Sequence, residues 1–287
     1  MHTTLISAAE LARHLDEPKW IVVDCRFDLA RPAIGREAYA AGHIPGARYA
    51  HLDDDLSAKI TPQTGRHPLP DAHAMAATLG SLGIDNETQV VAYDAGNGAY
   101  ASRLWWLMRW LGSERIAVLD GGFKAWTDAG LPVTSALPTV MATRFDAKPR
   151  DTMLLDAAGV GQAAADPAWR VLDARGPERY AGAVEPLDTK AGHVPGAHNY
   201  PFTNNLGPDG RFLPAAQLKS QLQQSLGTVP AERAIMMCGS GVTACHNLLA
   251  LEVAGLTGAR LYAGSWSEWI RDPARPIALG PTPRESR

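Results

Sequence analysis

Cys238 is the residue around which chemistry can be built. It follows the short apolar run Ala234-Ile235-Met236-Met237 and opens the stretch Cys238-Gly239-Ser240-Gly241-Val242-Thr243-Ala244, after which Leu248, Leu249 and Leu251 fall at helical spacing. Such a pattern predicts a buried strand, a tight glycine-bearing loop and a helix start, where unpaired backbone N–H groups converge on an anion. A thiol placed first in that loop has its thiolate favoured, and the thiolate is the nucleophilic form. Gly239 and Gly241 permit close backbone approach and unusual dihedrals. Val242 and Thr243 shape the loop, Thr243 by hydrogen-bonding the sulfur or by capping the helix. The plainer reading of a cysteine is a small buried hydrophobe, and that reading is the one given to Cys245, which falls inside the helix.

Cysteine phosphatases also use a cysteine loop before a helix. They need an arginine at the place held here by Ala244, to clamp phosphate oxygens, and no arginine follows until Arg260. The nine histidines and three cysteines show no paired spacing of the zinc kind, and no Gly-x-Gly-x-x-Gly opens a helix after a strand. Neither a metal nor a nucleotide cofactor is therefore expected.

The elements that must position Cys238 belong to a chain of 287 residues, enough for two domains. It is 46% hydrophobic and 20% charged, an ordinary globular composition. A net charge of −3 without a basic run gives no reason to expect nucleic acid or an anionic membrane as partner. The apolar stretch Leu104–Leu111 is interrupted by Arg109 and too short to span a bilayer. Cys25, Cys238 and Cys245 are too few for a disulfide framework, and the N-terminus lacks a charged and then apolar leader. A reducing compartment, the cytoplasm, is expected.

Internal repetition decides the architecture. Ile21-Val22-Val23-Asp24-Cys25-Arg26 recurs as Arg170-Val171-Leu172-Asp173-Ala174-Arg175, and Gly42-His43-Ile44-Pro45-Gly46-Ala47 as Gly192-His193-Val194-Pro195-Gly196-Ala197. The run ending in Asp94-Ala95-Gly96-Asn97-Gly98 matches the strand and loop around Cys238, and Gly121-Gly122-Phe123 with Trp126 parallels Gly264-Ser265-Trp266 with Trp269. Apolar strands alternate with helical patterns at Ser7–His14, Ala72–Leu82 and Ala215–Leu226. This predicts two α/β domains, each a central, mostly parallel sheet flanked by helices on both faces. The expected division is 1–135, a proline-bearing linker 136–151 without clear period, and 152–287 with the cysteine. The tail with Pro273, Pro276, Pro281 and Pro283 should be extended. With Asp94 where the second copy has Cys238, the first loop should be inert. Matching pairs in both copies, Asp24 with Arg26, Asp173 with Arg175, His43 and His193, are read as structural. Trp105, Trp106 and Trp110 are read as core or domain interface.

Taken in order and doubled, these motifs resemble the rhodanese superfamily, specifically its tandem-domain sulfurtransferases. Within it, the loop at 238–244 is similar to that of 3-mercaptopyruvate sulfurtransferases, because thiosulfate sulfurtransferases typically carry cations where Gly239 and Ser240 stand. The resemblance implies transfer of a sulfane sulfur from mercaptopyruvate, through a persulfide on Cys238, to a thiol acceptor such as thioredoxin or another small redox protein, or to cyanide, with release of pyruvate. It implies Arg179 for the donor carboxylate, and Leu187 where a second arginine is often found. It also implies a relay of Ser240, His67 and Asp53 protonating the departing enolate, with Asp54 or Asp55 as substitutes for Asp53. Thiosulfate as donor and a non-catalytic persulfide carrier are the alternatives.

Overall fold

The computed structural model describes residues 1–281; Pro283, at the end of the expected extended tail, lies outside them. The chain forms two compact units. Unit 1 comprises Met1–Ala58, Leu69–Asp151 and Leu206–Phe212, and unit 2 comprises Lys59–Pro68, Thr152–Asn205 and the chain from Leu213. Each unit therefore takes in a short segment encoded within the other copy.

Unit 1 runs β1 (Leu5–Ile6), α1 (Ala8–Ala12), β2 (Trp20–Asp24), α2 (Ile34–Ala41), β3 (Arg48–Tyr49), α3 (Ala72–Ser81), β4 (Gln89–Tyr93), α4 (Ala101–Trp110), β5 (Ile116–Leu119) and α5 (Gly122–Asp128). Its sheet has the order β1-β5-β4-β2-β3 with every pairing parallel. All five residues of β4 are buried, which is why its stretch Val90-Val91-Ala92-Tyr93 reads as a continuous apolar run rather than an alternating one. Leu11, Val22, Ile44, Val91, Leu119 and Trp126 form one core of the unit, and Trp105 and Trp106 on α4 are each 1% exposed. The 136–151 stretch packs on this unit by backbone bonds from Thr143 to Gly80 (2.9 Å), Lys148 to Leu111 (2.9 Å) and Arg150 to Trp110 (2.8 Å). His14, bonded to Glu17 (2.7 Å) and Glu10 (3.3 Å), lies near His2. These four are partly buried or exposed groups on the face of α1 and its flank.

Unit 2 repeats the plan with α6 (Ala157–Ala164), β6 (Arg170–Asp173), α7 (Pro177–Ala181), β7 (His198–Asn199), α8 (Ala215–Leu226), β8 (Ala234–Met237), α9 (Thr243–Val253), β9 (Arg260–Leu261) and α10 (Ser265–Trp269). The order is β7-β6-β8-β9, again all parallel. After β6 the chain first steps outward to β7 and then returns to the other side of β6 as β8. The connections beyond β6 and β8 therefore diverge, and a crevice opens at their carboxyl ends.

The repeated Asp-x-Arg motifs brace both units identically. Arg26 Nε and Nη2 donate to the Asp24 carboxylate and Nη2 also to the Gly42 carbonyl (2.7 Å). Arg175 does the same with Asp173 and with the Gly192 carbonyl (2.8 Å). His43 and His193 stack on Tyr39 and Tyr180 with ring centroids 4.0 and 3.8 Å apart. Among the described residues no helix is long and apolar enough to cross a membrane.

Candidate active site

Cys238 stands at the carboxyl end of β8 and is 2% exposed. Its backbone N–H donates to Ser265 Oγ (3.0 Å), while the Cys238 and Gly239 carbonyls accept from Trp266 N (3.0 Å) and Ser267 N (2.9 Å). The loop is thus stapled to the start of α10. Ser265 itself sits at φ 54°, the one non-glycine residue in the left-handed region among those described. Its hydroxyl donates to the Tyr262 carbonyl (2.9 Å), a local bond that helps hold a conformation costing about 1–3 kcal/mol. Ser265 was legible only as part of a repeated motif, not as the residue that holds the Cys238 backbone.

The Gly241 N–H donates to Cys238 Sγ at 3.1 Å. Gly241 has φ +80°, and a Cβ there would lie 2.2 Å from the Ala263 carbonyl oxygen, so only glycine fits. Val242 is buried and takes the N-cap place of α9 without a side-chain cap. Thr243 is the first helical residue, and its side chain makes no hydrogen bond to sulfur or backbone among the described residues. Neither role expected for it is realised, because the cap position falls one residue earlier. Cys245 is fully buried and its thiol donates to the Gly241 carbonyl at 3.2 Å.

The corresponding loop of unit 1 displays what this backbone shape does. Asp94, 1% exposed, accepts through Oδ1 from the N–H groups of Gly96 (3.0 Å) and Gly98 (3.0 Å) and through Oδ2 from Tyr100 (2.9 Å) and Ala101 (3.3 Å). Four main-chain donors close on one anion at the place equivalent to the sulfur.

His67 and Ser240, far apart in sequence, meet in unit 2 with Nδ1 and Oγ 2.7 Å apart, both buried. His67 arrives on the segment Lys59–Pro68, anchored there by Arg66 N donating to Ser267 Oγ (3.0 Å) and Arg271 Nε donating to the Thr64 carbonyl (3.1 Å). Asp53 lies in unit 1 as an exposed residue whose carboxyl is nonetheless held above its ordinary value, partial desolvation outweighing the pull of His51. Of its two neighbours, Asp54 pairs with Arg36 (3.4 Å) and Asp55 accepts the His51 N–H (2.7 Å).

Arg179, on α7, is gripped by Glu185 through Nε (3.2 Å) and Nη2 (2.7 Å), and Nη2 also reaches Asp188 (3.2 Å). Burial pushes the Glu185 carboxyl up, but Arg179 and the Leu187 and Asp188 N–H groups more than offset it, and it titrates below its ordinary value. Leu187 contributes only its backbone N–H to Glu185, its side chain being exposed. A Cβ added at Gly239 would meet Arg66 Nη2 at 2.8 Å and Arg179 Nη1 at 3.5 Å. The loop thus carries no cation of its own at 239, yet two guanidinium groups from outside reach over that position. Arg66, paired with Asp188, lies against the loop although the sequence did not single it out.

The arrangement places the Cys238 thiol beside a backbone N–H donor and a buried imidazole–hydroxyl pair that can move a proton, the parts of a nucleophile and its acid–base partner. Residues 7–129 and 156–272 each match the Rhodanese-like domain family. The chain is 48% identical over 278 residues to a Pseudomonas aeruginosa protein named "Probable 3-mercaptopyruvate sulfurtransferase", covering 96% of this chain and 98% of that one. It is 39% identical over 284 residues to a Mycobacterium tuberculosis protein named for thiosulfate sulfur transfer, SseB, covering 96% and 97%. The crystal structure of Escherichia coli SseA, a 3-mercaptopyruvate sulfotransferase by its description, superposes with a TM-score of 0.81 at 30% identity, covering 93% of this chain and all of that one. The chain belongs to the rhodanese superfamily, as a sulfurtransferase built from two rhodanese-like domains.

Proposed function

We propose that this enzyme is a 3-mercaptopyruvate sulfurtransferase. The Cys238 thiolate attacks the donor's sulfur, the S–S bond forms as the donor's C–S bond breaks, and the electron pair leaves as pyruvate enolate. Ser240, bonded to His67, delivers the proton that converts the enolate to pyruvate. A thiol or cyanide then attacks the outer sulfur of the persulfide, and Cys238 departs as its thiolate. The reading rests chiefly on the 2.7 Å pairing of His67, from the Lys59–Pro68 segment, with Ser240 in the loop that presents Cys238. Thiosulfate leaves as sulfite and needs no carbon protonated, so such a pair would have no task with that donor. Asp53 completes the relay by resemblance, and Asp53→Asn tests it. The acceptor is proposed to be a thiol, on a small redox protein of the thioredoxin kind. The three free cysteines fit a reducing compartment, the cytoplasm.

Intact-mass spectrometry after incubation with mercaptopyruvate should reveal the gain of one sulfur at Cys238, and turnover with mercaptopyruvate should exceed that with thiosulfate. Faster turnover of thiosulfate would replace the donor; label elsewhere, or none, would reduce the protein to a relative without this chemistry.

A further inference from the structure

Two imidazoles and one carboxylate meet in unit 1, which holds none of Cys238, Ser240 and His67. His2, Glu10 and His14 each offer a ligand atom, and these atoms all lie within 4.8 Å of one another. The hydrogens around His14 do not balance on a neutral ring. Its Nδ1 lies 2.7 Å from Glu17 Oε1 and its Nε2 lies 3.3 Å from Glu10 Oε1. A neutral imidazole carries one N–H, so it serves one of these carboxylates and turns a lone pair toward the other. The arrangement calls for a positive centre beside Nε2, either a second proton or a cation. The hydrogen bond to Glu17, chief among the causes, holds the His14 pKa above its ordinary value against desolvation, so the proton takes that place in acid.

The surroundings hold all three groups in place for the other occupant. With Nδ1–H given to Glu17, His14 presents the Nε2 lone pair, and a carboxylate behind the second nitrogen is how metal-bound histidines are held. Trp20 sets the ring plane, stacking on it with centroids 3.9 Å and planes 4° apart. His2 is clamped through its backbone: its N–H donates to Gln89 Oε1 and its carbonyl accepts from Gln89 Nε2, each at 2.9 Å. Its ring meets Trp20 edge-on at 5.6 Å. Arg13 Nη1 takes Glu10 Oε2 (2.7 Å), which leaves Oε1 on the side of His14. Glu10 and Glu17 outweigh Arg13, so the local charge favours a cation. The His14 and Glu10 side chains are 22% and 33% exposed, and an ion reaches them from solvent.

We propose that His2, Glu10 and His14 bind one divalent transition-metal ion of the zinc class, with Glu17 orienting His14 from behind. Two imidazole nitrogens and a carboxylate oxygen are a recurrent donor set for zinc, with water in the remaining position. The histidines and cysteines alone show no paired spacing because the partner of His14 at i, i+4 is a glutamate and the third ligand comes from ahead of β1. The ion closes the β1–α1 connection into a ring and so ties down β1, the edge strand of the sheet. Its role is separate from sulfur transfer.

The test is calorimetric titration with Zn²⁺ of the full-length chain bearing its own N-terminus, in a Cys238→Ala background so that the reactive thiol does not compete. One Zn²⁺ should bind per chain with a Kd of about 1 μM or tighter. Glu17→Gln should weaken binding about 10- to 100-fold, and His2→Ala and His14→Ala should each weaken it further. Lowering the pH to about 5.5 should weaken it about 10-fold or more, because a proton then competes for His14 Nε2. Zn²⁺ should raise the thermal midpoint of the parent protein and leave that of His2→Ala unmoved. His2 precedes the first strand, so His2→Ala decides the matter even where His14→Ala loses its fold. No binding, or one-to-one binding that survives in His2→Ala, overturns the site; parental affinity in Glu17→Gln removes the orienting role.

Discussion

Replacing Ser240 by alanine separates the two halves of the reaction. Ser240 and His67 are 6% and 4% exposed, and their 2.7 Å contact is a hydrogen bond closed off from solvent. Removing the hydroxyl deprives a buried imidazole nitrogen of this partner, at about 1–3 kcal/mol of stability. The kinetic effect should be larger and selective. Sulfur loading from mercaptopyruvate generates an enolate that must gain a proton, and a positioned acid contributes about 10²–10⁴-fold to such a step. That range corresponds to about 3–5 kcal/mol of barrier. Passing the outer sulfur to cyanide requires no carbon protonation, so unloading should stay near the wild-type rate. Single-turnover measurements of pyruvate release and of thiocyanate formation from the preloaded enzyme read the two steps independently. His67→Ala should behave alike, and the double variant no worse than either single one, since the residues act as a unit. A Ser240→Ala enzyme that loads as fast as wild type, or that loses loading and unloading equally, would refute the relay.

Two further substitutions probe the loops themselves. Gly241→Ala places a Cβ 2.2 Å from the Ala263 carbonyl at φ +80° and should displace the N–H that meets the sulfur. Unit 2 should lose about 1–3 kcal/mol and persulfide loading should largely vanish by intact mass, whereas wild-type loading would show that this N–H is dispensable. Asp94→Asn trades an anion that satisfies four main-chain donors for a group that can satisfy about half of them, a loss of about 3–5 kcal/mol in chemical unfolding; an unchanged midpoint would mean that the charge does not hold that loop.

How far the sequence could be read follows from which interactions leave a local pattern. The duplicated α/β plan was legible because buried parallel strands are apolar runs and the Asp-x-Arg and Gly-His-x-Pro-Gly motifs recur intact. Cys238, between an apolar run and a glycine-bearing turn, announced its loop for the same reason. The 136–151 stretch resembled a free linker because it lacks a period, yet it is tied to unit 1 by backbone bonds, which any side chain permits. Arg66 was invisible because a single arginine in a proline-flanked loop looks solvated. Its partner Asp188 lies 122 positions away, a separation no local pattern encodes. Thr243 was misplaced because the last loop residue, Val242, takes the cap position with helical dihedrals and no polar side chain.

The exchange of short segments between the units has a bearing on descent. His67, which bonds Ser240 in the cysteine loop, is encoded ahead of the junction at which the second copy begins, and it counts by its contacts with unit 2. Severing the polypeptide after Asp151 would leave the thiol on one fragment and its imidazole on the other. The two copies are therefore not separable units of inheritance: the half that carries the thiol depends on a segment written into the other.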